Sequence, residues 1–355
     1  MTTVLPAPSP AQFLALLPHL AGCMPRESLV LVPFRGTRSL GVLRLDLPPD
    51  DALAEYAATA IGMICRVREA DALAIVVYTD APYRVGDEIA RRALADRVRD
   101  RADDCGLRVL AAHLVAADGW GTYGEDCSPR PLHEIAPPAL DGPAIAADQR
   151  SGARLPRLGK AARQRVAAAI AELAPLITER GVGDTSGRTS LAFLTGVFED
   201  ALAWDPDDLN PAEAAVLTLT LGTPVLRDVA LTQWSADLAS GRRTLVWQLR
   251  WQRGDRSVPD EPIRLAGEGP RPDPDRLRRA LELARMVAAG APRPYRAGAL
   301  ASAGWLSWAL GNSTHAGWYV ERALTRDPDH GLAGLLRQML DAAHLPGWAF
   351  ERPAA

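Results

Sequence analysis

Hydrophobic positions in the first third of the chain switch repeatedly between helical and strand spacing. Phe13, Leu14, Leu16 and Leu17 share a helical stripe behind Ser9-Pro10-Ala11-Gln12, a capping-box start, and Gly22 and Pro25 end it. Ser28 to Phe34 is a short apolar run bounded by turn residues, which predicts a buried strand. After an Arg35-Gly36-Thr37-Arg38 turn, Ser39 to Leu47 alternates in part, so the two runs predict a β-hairpin. Leu53, Ala57, Ala60, Ile61 and Ile64 predict a helix over 48–69, and Ile89, Ala90, Ala93, Leu94 and Val98 one over 86–104. Ala72 to Thr79 is apolar throughout, the mark of a strand covered on both faces, and Leu107 to Ala116 is the next strand.

Helices alternating with apolar strands predict an α/β domain over 1–140, built on a mixed, mostly parallel sheet with one hairpin and helices on its faces. The Pro/Gly/Ala-rich stretch 141–158 is expected to be a linker. Beyond it the pattern is helical throughout. Gly, Pro and Asp punctuation delimits segments at 159–179, 188–204, 211–221, 224–239, 242–253, 274–289, 296–310, 314–326 and 331–342, with a long loop from Arg253 to Pro272. This predicts an all-α domain over 159–355. Its tryptophans, Trp234, Trp247, Trp251, Trp305, Trp308 and Trp318, are expected to pack helix against helix. Within 297–330, Gly304, Gly311, Ala316, Ala323 and Pro328 fall at the small and proline positions of a tetratricopeptide-like unit. No second copy follows at that step, so a single helical hairpin is expected.

Composition narrows the chemistry. A net charge of -3 argues against general nucleic-acid or anionic-membrane binding, and no apolar run is long enough for a membrane span. Pro18 interrupts the first apolar stretch, which has no basic flank, so a signal peptide is not expected and the cytoplasm is the expected location. Lys160 is the one lysine, leaving Schiff-base or phosphate-loop lysine chemistry a single candidate. Cys23, Cys65, Cys105 and Cys127 are scattered without zinc spacing, and Cys65 reads as a small core residue.

Two glycine patterns fail their context. Gly119 to Gly124 spells G-x-G-x-x-G after a strand, but Glu125 to Pro131 cannot open the helix a dinucleotide site needs, so a surface loop with a Trp120 plug is expected. Gly181 to Ser190 lacks phosphate-loop spacing and carries Arg188 where lysine is required, so it reads as a helix-to-helix linker with Thr185 or Ser186 as a cap. Among the six dispersed histidines, His113 lies in a strand as a core group, and His315 and His330 sit at helix starts. Asp46, Asp80 and Asp118 each follow a strand and would meet at one sheet edge, where carboxylates hold a divalent ion or transfer protons, or simply build turns.

The segment Pro18-His19-Leu20-Ala21-Gly22-Cys23-Met24-Pro25-Arg26-Glu27-Ser28-Leu29-Val30 resembles P-x-L-L-G-F-x-P-x-x-S-L-V, the mark of the actinobacterial family catalogued as domain of unknown function 4192. Asp46-Leu47-Pro48, Tyr78-Thr79-Asp80 and the C-terminal run from Ala316 through Glu321-Arg322-Ala323-Leu324 and Asp327-Pro328 to Leu336 are similar to it too. Ala21 and Cys23 depart from the pattern, and Trp120 with Cys127-Ser128-Pro129 keeps one cysteine where relatives often have two. The resemblance implies an architecture and an actinobacterial, cytoplasmic source, and no reaction. On the residues themselves, the expected function is non-enzymatic binding or scaffolding, with a partner protein on the helical domain and no cofactor. The alternative is an enzyme or a nucleotide- or metal-binding protein whose site lies at the strand ends: Asp46, Asp80, Asp118, Trp120 and Arg26. Within the opening motif, Arg26 and Glu27 are the groups expected to be free for a ligand.

Overall fold

Ser9 and Gly22 set the limits of the first helix, α1 (Pro10–Ala21). Ser9 accepts the Gln12 amide hydrogen at 3.3 Å, and Gly22 closes the helix at φ 72°, a left-handed conformation that glycine adopts without a Cβ clash. The computed structural model describes residues 9–124, 128–136, 145–179, 187–257 and 261–351. The chain divides into two units, Met1–Gly152 and Ala153–Ala355, the division falling inside the 141–158 segment.

In the first unit the strands are β1 (Ser28–Arg35), β2 (Arg38–Ser39), β3 (Leu43–Asp46), β4 (Ala72–Tyr78), the short pair β5 (Arg84–Val85) and β6 (Glu88–Ile89), β7 (Arg108–Val115) and β8 (Trp120–Thr122). Helix α2 (Leu53–Cys65) joins β3 to β4, and α3 (Arg92–Asp104) lies between β6 and β7. β1 is central, pairing antiparallel with β2 and β3 along one edge and with β4 along the other. β4 pairs parallel with β7, and β8 closes the far edge antiparallel to β7.

The sheet is mixed, with a hairpin and helices on its faces, as expected. Its pairings, however, are antiparallel except at β4–β7, not mostly parallel. The crossover through α2 still joins strands of one direction, β3 and β4. The hairpin arm β1 lies between those two and turns what would be parallel neighbours into antiparallel pairs. The second hairpin arm is also broken into β2 and β3. Pro33 has no amide hydrogen to offer that edge, and its carbonyl accepts from Leu40 where the ladder lapses. The stretch 86–91, expected to be helical, instead carries β6 and a left-handed Arg91 (φ 56°) before α3 begins.

Alternate residues of the central strands feed two cores, as strand geometry requires. Leu29, Leu31, Leu73, Ile75, Val77 and Leu114 pack with Ile61 and Ile64 of α2 and Leu94 and Val98 of α3. Val30, Val32, Ala74 and Val76 face the other way, onto Leu14 and Leu17 of α1 and the ring of Trp120. This two-sided burial explains why β4 is apolar at every position.

In the second unit the helices are α4 (Lys160–Glu179), α5 (Gly187–Ala201), α6 (Pro211–Gly222), α7 (Pro224–Trp234), α8 (Leu238–Gln252), α9 (Pro274–Gly290), α10 (Arg296–Ala309), α11 (Ser313–Leu324) and α12 (Gly331–Asp341). Asn210 and Glu213 form a reciprocal capping box, Asp237, Asp273 and Asn312 cap α8, α9 and α11, and prolines open α6, α7 and α9. Residues 181–186, the bulk of the second glycine pattern, lie outside the described residues. Trp234, Trp305, Trp308 and Trp348 are fully buried, and each indole N–H donates to a main-chain carbonyl: Phe198, Leu265, His344 and Ala309 respectively. Trp318 is half-buried and packs against this core. Trp247 and Trp251 do not join it: Trp251 is exposed and Trp247 half-buried, because Leu245 and Leu249 already occupy the inward stripe of α8.

His330 caps α12, its Nδ1 accepting the Ala333 amide hydrogen at 3.3 Å. Burial, then the charge of Arg227, holds its pKa below the ordinary histidine value. A depressed folded-state pKa means the unfolded chain binds the extra proton more readily. The cap's stabilisation is therefore complete above the ordinary histidine pKa of about 6.5 and is lost as pH falls below it. Thermal melts should show this helical unit losing about 1 kcal/mol as the cap protonates. The His330→Asn variant, whose cap does not titrate, should lose less over the same acidification, and equal losses would refute the assignment.

Candidate functional site

Strands β3, β4 and β7 run in one direction, so the residues after them gather at one edge of the sheet. The register places Asp46 and Tyr78 on either side of Ser28, at the start of β1. Asp80 pairs with Arg26 at 2.7 Å, both more than half exposed, and this pairing raises the Arg26 guanidinium pKa further. Asp46 pairs with Arg44 at 2.8 Å, and Arg44 also donates to Ser28 Oγ. Asp118 accepts the Tyr83 amide hydrogen at 2.7 Å, fixing the turn after β4. Of the five candidates, the structure brings Arg26 and Asp80 into contact and gives Asp46 and Asp118 local partners of their own.

Trp120 is 1% exposed, its indole N–H donating to the Pro131 carbonyl and its main chain bonded both ways to Arg130. The ring is a plug in the core beneath α1 and offers no surface to a ligand. The glycines beside it have packing reasons. A Cβ on Gly121 would lie 2.9 Å from the Tyr83 ring, and one on Gly119 3.1 Å from the Arg130 carbonyl oxygen. The plug was expected on a loop; it stands instead in edge strand β8.

Glu27, expected to be free for a ligand, is the organising group of this edge. It sits at φ 42°, in the left-handed region that glutamate seldom visits. Its Oε1 accepts from Thr79 Oγ1 at 2.7 Å and from the Asp80 amide at 2.5 Å, and its Oε2 lies 3.7 Å from Arg91. Arg91 is left-handed too, and also pairs with Asp50 at 2.8 Å. The carboxylate thus ties the start of β1 to the end of β4 and the entry to α3. Gln149 adds a reciprocal pair of bonds to the Arg26 main chain. Asp148 turns the chain there, held below the usual carboxylate range first by the Ser151 hydroxyl and then by nearby amides. None of these links was readable from spacing, because each partner lies on a different element.

His113 is a core group as expected, with Nδ1 3.0 Å from Thr122 Oγ1 and a pKa lowered by burial. Cys65, expected in the core, is exposed at the end of α2. A groove of about 450 Å³ lies at the other end of β7, lined by Arg99, Asp103, Arg108, Leu110 and Tyr123. Among the described residues, no three His, Cys, Asp or Glu side chains are arranged to hold a metal ion, and no single helix is long and apolar enough to cross a membrane.

The second unit carries a different kind of surface. On α8, Val246 and Trp251 are 42% and 39% exposed, and the Trp247 and Trp251 rings lie 5.8 Å apart. Arg256 stacks over Trp251 at 4.3 Å, and Arg242, Arg250 and Arg253 are exposed on the same helix or just past its end. Sequence periodicity assigned these tryptophans to the core. The signal that separates them is the competing Leu245/Leu249 stripe, which leaves Trp247 and Trp251 two residues out of phase with it.

A family model described as Domain of unknown function (DUF4192) matches residues 10–346. No curated protein and no solved structure matches the chain.

Proposed function

Since the chain belongs to the DUF4192 family, whose description assigns no activity, we propose its function from its own surfaces: it is a non-enzymatic binding protein whose α8 face takes an acidic segment of a partner protein. The observation that carries this reading is the exposed Trp251, paired with the half-buried Trp247 and set among arginines, with Arg256 stacked on Trp251. Exposed tryptophan and arginine are the residues that dominate binding energy at protein interfaces. The local charge supports an acidic partner: Arg242, Arg250, Arg253 and Arg256 cluster here although the whole chain is at -3. The α10–α11 hairpin supports a single tetratricopeptide-like unit, with Gly304 close against Val320 and Pro328 following α11. An actinobacterial, cytoplasmic protein fits the arginine-rich, nearly lysine-free composition and the lack of a disulfide framework in the sequence.

The alternative strand-end site has less support, because Asp80 is neutralised by Arg26, Asp46 by Arg44, and Trp120 is buried.

The test is fluorescence polarisation with a labelled peptide of alternating glutamate and phenylalanine. Binding that weakens with salt is expected, and Trp251→Ala should weaken it about 30-fold, the effect of roughly 2 kcal/mol at a hot spot. The melting temperature should stay near that of the parent, since the ring is exposed. No binding, or binding indifferent to Trp251→Ala, would overturn the reading. Single-stranded DNA binding in place of the peptide would assign the face to nucleic acid.

A further inference from the structure

α2 and α3 both return from the edge of the sheet that carries Asp46 and Asp80 to the opposite edge, so they run in the same direction side by side over one core. Arg91 and Asp50 pin their N-terminal ends together at 2.8 Å. Asp50 precedes Cys65 by fifteen residues, and Arg91 precedes Cys105 by fourteen. At about 1.5 Å of rise per helical residue the two cysteines come level, roughly 20 Å along. Cys65 is the last residue of α2, Cys105 the residue that closes α3, and both are exposed. The Cys105 side chain is near enough to act on the Cys65 thiol, whose pKa is raised first by burial and then by Cys105. Two cysteines that look scattered in sequence are therefore neighbours at the ends of two packed helices.

We propose that Cys65 and Cys105 are a redox modification site, at which a peroxide drives a reversible disulfide that staples α2 to α3. Both thiols are exposed to a peroxide, and the same two steps follow whichever sulfur reacts first. Where Cys105 is first, its sulfur attacks one peroxide oxygen; the O–O bond breaks, giving a Cys105 sulfenic acid and water from hydrogen peroxide. Cys65 sulfur then attacks Cys105 sulfur. The S–S bond forms, the S–O bond breaks, and hydroxide leaves with the Cys65 proton as a second water. Two thiols are oxidised, one hydrogen peroxide is reduced to two waters, and a dithiol reductant reverses the step by thiol–disulfide exchange.

The test uses the full chain treated with hydrogen peroxide, alkylated and digested with trypsin without reduction. Cleavage leaves Cys65 in peptide 45–66 and Cys105 in peptide 102–108. The expected product is these two peptides joined within one chain, lost on reduction and absent in Cys65→Ser and Cys105→Ser. Closing this loop should raise the melting temperature of oxidised parent protein by roughly 5–10 °C over the reduced form. Cys65→Ser should show no such rise. Recovery of the two peptides unlinked after their thiols have been oxidised, or linkage only between chains or to another cysteine, would overturn the proposal.

Discussion

Gly298→Ala is expected to destabilise the helical unit by about 3 kcal/mol or more, a fall of roughly 6–12 °C in melting temperature. Helix propensity points the other way. In an open helical position the same change is worth up to about 1 kcal/mol in favour of alanine. The decision lies in what the new methyl group meets. Gly298 is buried in α10, and a Cβ there would sit 2.7 Å from Gly222 Cα and 2.8 Å from Gly222 N, closer still to the Leu221 carbonyl oxygen. These are main-chain atoms at the end of α6, just before Thr223 and Pro224 start α7, so no side chain can rotate away. Gly317 in α11 is the control of opposite sign. Nothing lies within 4 Å of its built Cβ, so Gly317→Ala should stabilise by up to about 1 kcal/mol. Thermal melts of both variants read the contrast directly, and a Gly298→Ala protein as stable as its parent would refute the close α6–α10 approach.

The helical half was legible because its boundaries are written in local chemistry. Asn210-Pro211, Thr223-Pro224, Asp273-Pro274 and the Gly311-Asn312 turn each stop or start a helix through bonds spanning a few residues, and segment limits read from them fall within a few positions of the observed helices. The sheet was less legible, because pairing is a long-range choice. Nothing in the spacing of Ser28 to Asp46 says that β1 will lie between β3 and β4, and that placement decides which pairs are parallel. β5, β6 and β8 span two or three residues each, too short for any periodicity to register. Trp120 becomes a strand residue only because β7 and Arg130 supply its hydrogen bonds.

The candidate site divides along the same line. That Asp46, Asp80 and Asp118 follow strands of one direction, and so reach one edge, was visible in the sequence. Their partners were not. Arg26 and Asp80 are fifty-four residues apart, and Glu27 finds Thr79 and Arg91 on two other elements. That Cys65 and Cys105 are neighbours was likewise visible only once α2 and α3 were known to lie side by side. On α8 the opposite error arose: two tryptophans at helical spacing were taken for core, when the leucines two positions away had already claimed it.

The same distinction yields the second large effect. Trp308→Ala should cost the helical unit about 3–5 kcal/mol, or roughly 10–15 °C in melting temperature. Trp308 is completely buried, with Trp305 and Trp348 rings 6.3 Å away and the His344 ring stacked at 6.2 Å. Its indole N–H donates to the His344 carbonyl at 2.8 Å, and its far edge fills the space against Gly267, where even a Cβ would approach within 2.7 Å. Truncation removes this packing, opens a cavity among rings that cannot collapse into it without leaving their own bonds to Leu265 and Ala309, and strands the His344 carbonyl. Trp308→Phe keeps much of the volume but not the donor, so it should recover part of the loss and no more. Trp251→Ala, an identical change on the exposed face of α8, should leave the melting temperature near that of the parent while weakening peptide binding. A Trp308→Ala protein that melts with its parent would place Trp308 outside the core, and a Trp251→Ala protein that melts as early as Trp308→Ala would mean that the α8 tryptophans hold the fold together and are not a surface kept for a partner.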